Sequence, residues 1–573
     1  MTRTFKKIIS VIVTAAMVMM LGITAFAAAP YDITVKRSGD DKSEHTYTAY
    51  QIFSGTLQTD GSLTGLDWGT GINGSAFLTA LKTASSKFDA CTDAASVAAV
   101  LEANNDLADL FAKTAFANKA TAAGSVTSAA GQTSATIVVS TEAGYYLITD
   151  EIDTASPNSN ENSSVSRFML KVDTTHTTTA FFAKAVVPSI TKEIGDGTAA
   201  GVEANTASIG DTVPFALRTA VPDMTGYTKY FFVVKDTMSK GLTFDSSSVA
   251  VTLGGTTLAP SNYTVTSTTS ATGETEIKIV FKNFIANHNA ASHATDNCGK
   301  PIVITYNATL NDNCDRTSTG NPNTVYLEYS NDPNVIPSGT DEPSGTDPVG
   351  KTPESKTITY TTGVKVIKQD MSGNKLPGAT FEISGLGGAK VVTVKGKYTK
   401  DTDPVDPSKT YYYLLKDGTY TDTAPTDSTK SKYVDDGVDK YTYSTEETSE
   451  TVTSGAVTAT VDADGYIVFS GLGDGTYTIT ETAAPDGYVK VDTPITFEVT
   501  STATLTGVTW KVDGTTATDT TIIKEFTVQN PKKSNLPETG GIGTTIFYIA
   551  GSVLVVAGVA LLLTKKKSKA TER

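Results

Sequence analysis

The sequence predicts a mainly β chain of several domains in a row, the first with a helical insertion, followed by one membrane-spanning helix near the end. Three observations carry this reading. Thr, Ser, Gly, Asp and Val are abundant among the 573 residues, a composition that suits strand-and-turn domains with polar outer faces. Short alternating runs, bounded by Gly, Asn and Asp, recur through most of the length. An apolar run from about Thr544 to Leu563 precedes Lys565-Lys566-Lys567. About 20 apolar residues at 1.5 Å each cross a hydrocarbon core, and the lysines stay on the cytoplasmic side.

Residues 1–27 read as a secretory signal peptide. Arg3, Lys6 and Lys7 precede the mostly apolar Ile8 to Ile23, and Ala25-Phe26-Ala27 supplies a small-x-small cleavage site. The first domain, 28–184, opens and closes on strand-like runs: Ile33 to Val35, Thr46 to Phe53, Thr136 to Val139 and Tyr145 to Ile148. Between them Val97, Val100, Leu101, Leu107, Leu110 and Phe111 recur at helical spacing, with Thr92, Asp93 and Asp106 as candidate caps.

In residues 185–331 the helical period vanishes. Val213 to Leu217, Tyr230 to Val234, Glu276 to Phe281 and Val325 to Tyr329 alternate as strands, the pattern of a β-sandwich. Residues 332–356, where Pro337-Ser338-Gly339-Thr340-Asp341 is nearly repeated at Pro343 to Asp347, read as a linker giving some freedom between domains. Residues 357–530 form a third strand-rich domain. Its stretch from Lys390 to about Glu450 reads as an exposed, Tyr-rich, hairpin-like insertion, and 531–573 complete the chain.

Composition excludes several functions. A formal charge of -15 with no basic patch argues against nucleic-acid binding. Three cysteines cannot make a disulfide framework; Cys298 and Cys314 flank one polar loop and form a candidate local bridge, leaving Cys91. His45, His176, His288 and His293 show no metal-ligand spacing, so no metal or other cofactor is expected. No Gly-x-Ser-x-Gly elbow or glycine-rich phosphate loop occurs, and the chain reads as a structural protein, not an enzyme.

Strand parity supplies the sharper signal, because residues two apart share a face. In the third domain Val364 and Val366 lead on their face to Lys368, Tyr477 and Ile479 lead to Glu481, and Phe526 and Val528 lead to Asn530. Lys365, a rival donor, falls outside. In the second domain Lys192 shares a face with Ile190 and Ile194, Asp236 with Phe232 and Val234, and Asn331 with Leu327 and Tyr329. Asn323 lies on the same face as Asn331 and competes for its role. In the first domain Lys36 falls opposite Ile33 and Val35. An unpaired buried lysine or acid is very costly, so each inward amine, acid and carboxamide should meet. Burial lowers the amine pKa towards a neutral nucleophile and raises that of the acid, which can then shuttle protons as ammonia leaves. The expected bonds are Lys368 to Asn530 with Glu481 assisting, and Lys192 to Asn331 with Asp236 assisting.

Tyr477 to Tyr488, reading Tyr-Thr-Ile-Thr-Glu-Thr-Ala-Ala-Pro-Asp-Gly-Tyr, resembles the E-box of Gram-positive pilins. Lys368-Gln369-Asp370 leading to Leu376-Pro377-Gly378-Ala379-Thr380-Phe381 resembles the opening of a collagen-adhesin B-type domain. Leu536-Pro537-Glu538-Thr539-Gly540, before the apolar run and basic end, resembles a cell-wall sorting signal. The resemblance is to sortase-assembled pilins. It implies tandem immunoglobulin-like sandwiches, CnaA-like in the middle and CnaB-like in the third domain, with spontaneous intramolecular isopeptide bonds. It also implies cleavage between Thr539 and Gly540 by a sortase transpeptidase, then transfer of Thr539 to a peptidoglycan precursor or to a lysine of another copy.

Lys184, in Phe181-Phe182-Ala183-Lys184, stands where such pilins present the linking lysine, although the family's proline and asparagine are absent here. The expected product is a head-to-tail, cell-wall-anchored extracellular polymer, with minor pilins as further partners. It would meet the membrane only through its C-terminal anchor before sorting. The alternative reading is a singly anchored or minor-pilin adhesin.

Overall fold

The computed structural model describes residues 31–37, 43–139, 143–152, 165, 167–172, 180–182, 187–224, 226–288, 297–345, 347–386, 390–451, 455–534 and 542–568. The signal peptide, Lys184 and Leu536 to Gly540 lie outside them.

The first unit sets a three-stranded sheet, with Tyr31–Lys36 at its centre, beside a five-stranded sheet built on His45–Leu57 and Gly144–Ile152. Helices Gly74–Ala84, Ala94–Ala103 and Ala108–Ala117 form its insertion. The Asp93 carboxylate accepts from the Ser96 amide, and the Ser96 hydroxyl closes a capping box, which fixes where the second helix begins. Phe77, Phe111 and Phe53 pack at ring separations of 5.1 and 5.6 Å, joining the insertion to the sheet.

The middle unit is a sandwich of two sheets. One runs Thr256–Thr257, Leu242–Leu253, Pro301–Leu310, Thr212–Ala220, Thr191–Ile194. The other runs Ala204–Thr206, Ser355–Tyr360, Asn321–Ser330, Phe232–Met238, Thr275–Phe281, Tyr263–Thr269. Inward residues such as Phe215, Phe232, Ile279, Ile304 and Leu327 fill the space between them.

Residues 332–356 do not act as a linker between domains. Val349–Lys351 and Ser355–Tyr360 both pair with Asn321–Ser330, so the chain returns to the middle unit before leaving it. The preceding loop is tied down by its own repeat. Asp347 of the second copy accepts from the amides of Ser338 and Gly339 of the first, at 2.7 and 3.0 Å, and from Ser344 at 2.8 Å. A carboxylate that collects three amides holds a Pro-Gly segment that composition alone leaves loose.

The third unit begins at Thr362, with one residue between it and Tyr360. Its sheets run Lys440–Thr451, Lys390–Asp401, Tyr466–Leu472, Thr362–Asp370, Ile522–Asn530, and Ala456–Thr460, Thr380–Ser384, Gly475–Ala483, Ile495–Thr504, Gly507–Val512, Thr515–Thr516. Phe381, Tyr477, Phe497 and Trp510 dominate the core. The Tyr-rich insertion is a long hairpin in register from Lys390↔Thr451 to Asp401↔Lys440, with Tyr398 stacked on Tyr420 at 3.9 Å.

Both junctions are closely packed. Arg167 donates to the Pro333 carbonyl at 3.0 Å, to Asn334 Oδ1 at 2.9 Å and to the Gly226 carbonyl at 3.2 Å, binding the first unit to the middle one. Between the middle and third units, the Ile209 amide donates to the Gly471 carbonyl at 2.9 Å and the Gly473 amide to Ser208 Oγ at 3.0 Å. A Cβ on Gly473 would stand 2.7 Å from the Ala207 backbone, so the approach requires glycine. Helix Ile542–Ser568 contains Thr545–Lys565, with a mean hydropathy of 2.6, long and apolar enough to cross a membrane.

Candidate functional site

In the third unit the first strand, Thr362–Asp370, runs parallel to the last, Ile522–Asn530, with Lys368 opposite Val528 and Asp370 opposite Asn530. No bulge interrupts the core-facing stretch from Val364, so parity holds and Lys368 points inward. Its amine is fully buried, donates to Asn530 Oδ1, and donates to the Val528 carbonyl at 3.1 Å. Glu481 comes from the opposite sheet. Its Oε1 accepts from Asn530 Nδ2 at 2.8 Å and lies 3.7 Å from Lys368 Nζ, while Oε2 accepts from the Val491 amide at 2.8 Å. Burial pushes the Lys368 pKa down, and the neighbouring Glu481 only partly opposes this. Lys365, one residue out of phase, pairs at 3.0 Å with Glu525, which is itself exposed.

The middle unit gathers a similar set across its two sheets. Lys192 lies on the edge strand of one sheet, opposite Leu217, and Asp236 lies on the other sheet, opposite Val325. Lys192 Nζ donates to Asp236 Oδ2 at 2.5 Å and also to the Tyr306 hydroxyl. Tyr306 Oη donates to Asp236 Oδ2 at 2.6 Å and accepts from Asn323 Nδ2 at 3.0 Å. All four side chains are buried. Burial lowers the Lys192 pKa to about 8 against the pull of Asp236, and raises that of Tyr306, which keeps its proton.

The carboxamide at this centre is Asn323, not Asn331. Asp236 faces Val325 and Met238 faces Asn323, whereas Asn331 follows the far end of that strand. Six residues of extended chain separate Asn331 from Val325, about 20 Å. Asn331 instead belongs to the first junction, where its carbonyl accepts from the Val165 amide at 2.8 Å. Tyr306 was not anticipated. The alternation Ile302, Ile304, Tyr306, Ala308, Leu310 gives its inward position, and a buried phenol demands a polar partner.

Residues 362–514 match the family model of a prealbumin-like fold domain. Residues 209–333 match the Cna-B-like domain of Gram-positive pilin backbone subunit 2, and residues 528–570 match the LPXTG cell wall anchor motif. The chain is a Gram-positive pilus subunit. The middle domain of this pilin, for which a CnaA-like type was expected, matches a model described as Cna-B-like. Over 411 residues, 67% of its length and 70% of the relative's, the pilin is 26% identical to the trypsin-resistant surface T6 protein of Streptococcus pyogenes serotype M6. The solved T6 backbone pilin of serotype M6 Streptococcus pyogenes, described as a modular three-domain structure, shares its fold. The TM-score is 0.50 at 14% identity, covering 89% of this pilin and all of that chain.

The remaining expected positions divide. Cys298 and Cys314 are not bridged, because they lie beyond opposite ends of the ten-residue strand Pro301–Leu310, which spans about 30 Å. Cys314 is buried and Cys298 exposed. Lys36 takes the half-buried face of its strand, opposite Ile33 and Val35. Among the described residues no group of three or more His, Cys, Asp or Glu side chains is placed to hold a metal.

Proposed function

We propose that this pilus subunit is a shaft component, polymerised and anchored by a sortase and stabilised by two self-made Lys-Asn bonds. The observation that carries the reading is the buried meeting of Lys368, Glu481 and Asn530, in which a lysine of lowered pKa touches a carboxamide that is held by an acid. The neutral amine attacks Asn530 Cγ. A bond forms from Nζ to Cγ, the bond from Cγ to Nδ2 breaks, and Glu481 carries one proton from Nζ to the departing nitrogen, releasing ammonia. Lys192, Asp236 and Asn323 would perform the same exchange in the middle unit.

Each bond would close a loop of more than 100 residues, contributing roughly 5 kcal/mol by the loop-entropy model. That suits an exported chain whose three cysteines make no bridge. The sorting motif, Leu536 to Gly540, would be cut after Thr539, with the acyl group passed to Lys184 of the next copy or to a peptidoglycan precursor. Such head-to-tail joining of unlike surfaces yields an open filament.

A denaturing gel of enzymatically released cell-wall material tests this. The wild type should give a high-mass ladder that collapses in Lys184→Ala. One band in both strains would instead indicate a singly anchored protein, such as an adhesin.

A further inference from the structure

We infer that Tyr306 is a catalytic residue of the middle unit's bond-forming reaction, relaying a proton from the acid to the departing nitrogen. The inference rests on the reading of that unit as self-crosslinking. Its basis is the contrast between the two acids. Glu481 touches both reacting nitrogens of its site, at 2.8 and 3.7 Å. Asp236 is one methylene shorter. It meets Lys192 at 2.5 Å, but among the described residues it shares no hydrogen bond with Asn323. The Tyr306 hydroxyl occupies the gap, 2.6 Å from Asp236 Oδ2 and 3.0 Å from Asn323 Nδ2. A continuous path therefore runs from Nζ to Oδ2 to Oη to Nδ2.

The exchange balances along that path. The Lys192 lone pair forms the bond to Asn323 Cγ, and one Nζ proton passes to Asp236 Oδ2. As Cγ becomes tetrahedral, Nδ2 regains the lone pair it shared with the carbonyl and can accept a proton. Tyr306 gives Nδ2 its hydroxyl proton and takes the one held by Asp236. The bond from Cγ to Nδ2 breaks and ammonia leaves, with Asp236 and Tyr306 restored. Asn323 Oδ1 is buried with no hydrogen-bond partner among the described residues, so the carboxamide is held by its nitrogen end alone. Among the described residues Tyr306 is therefore its only polar hold.

The test is Tyr306→Phe in the full chain, purified in detergent, digested and analysed by mass spectrometry for the bridged peptide holding Lys192 and Asn323. Lysine acetylation of the intact chain reports whether Lys192 stays buried. The relay predicts a bridge that forms on the order of 10²-fold more slowly, the usual scale of general acid-base catalysis. Lys192 should stay protected from acetylation and the Lys368–Asn530 bridge should be complete. A Lys192–Asn323 bridge as complete as in the wild type in freshly made protein overturns the relay and leaves the reading intact. An unbridged Lys192 that acetylates like a surface lysine also overturns it, since Tyr306 would then only support the fold. Absence of the bridge from the wild type defeats the underlying reading instead.

Discussion

The middle and third units bury the same three kinds of side chain and connect them differently. In the third, amine and carboxamide project from adjacent parallel strands of one sheet, and the acid reaches across from the other. In the middle, amine and carboxamide stand on opposite sheets, and a phenol completes the set. Side-chain reach explains the difference, since a glutamate spans both nitrogens directly and an aspartate needs an intermediary. Placement also sets which part of each unit the proposed bond would enclose. Lys368 and Asn530 sit on the first and last strands, so almost the whole third unit would be enclosed. Asn323 sits near the start of its strand, and residues 324–360, including the loop tied by Asp347, would lie outside.

Mechanical pulling should sharpen this contrast most. Under load the middle unit should yield residues 324–360, about 120 Å at roughly 3.3 Å per residue, while the third yields only the few residues before Lys368. Single-molecule extension of the ectodomain checks this, and equal extensions from both units would break the comparison. Next in size, Glu481→Ala and Asp236→Ala should each retain the mass of one ammonia and destabilise only their own unit by roughly 5 kcal/mol. Intact mass and thermal unfolding report this, and a variant that unsettled both units would show that the sites are coupled.

The smallest expected effect is on pH dependence. With Asn323→Ala the Lys192 amine stays titratable, at about 8 in the folded chain against 10.5 as its ordinary value. The unfolded state then binds the extra proton between those values, so stability should rise by up to about 3 kcal/mol as pH goes from 8 to 10.5. Below pH 8 that contribution is lost. Denaturant unfolding of the variant against the wild type, in which the proposed bridge would remove Lys192 from titration, isolates it. A flat difference would show that Lys192 keeps its ordinary pKa.

Parity made Lys368, Glu481, Asn530, Lys192 and Asp236 legible because each continues an inward run without a bulge between it and the core residues that set the face. It could not choose between Asn323 and Asn331. Period two assigns a face, while the position along a strand depends on register with neighbours that the sequence does not reveal. Tyr306 was hidden for a related reason, since an inward tyrosine reads as core until a buried acid is known to face it. The Pro-Gly repeat misled by composition: its glycines and prolines build no core, yet Asp347 folds the loop from outside, and Thr357 to Tyr360 alternate as part of the middle sheet. The first unit's helices were visible where apolar residues repeat at helical spacing. Gly74–Ala84 carries the same signal, with Phe77 and Leu81 four residues apart behind the Asn73 cap, and the reading of the sequence passed over it.

With only Thr361 between the last strand of the middle unit and the first strand of the third, the chain offers an extracellular protease no slack at the place where tandem domains are usually cut. Peptide bonds there are held on both sides by sheet partners, and cleavage needs several residues to come free and thread an active site. The two sandwiches should therefore survive digestion as one inseparable piece, a durable unit for a filament exposed to whatever its surroundings secrete.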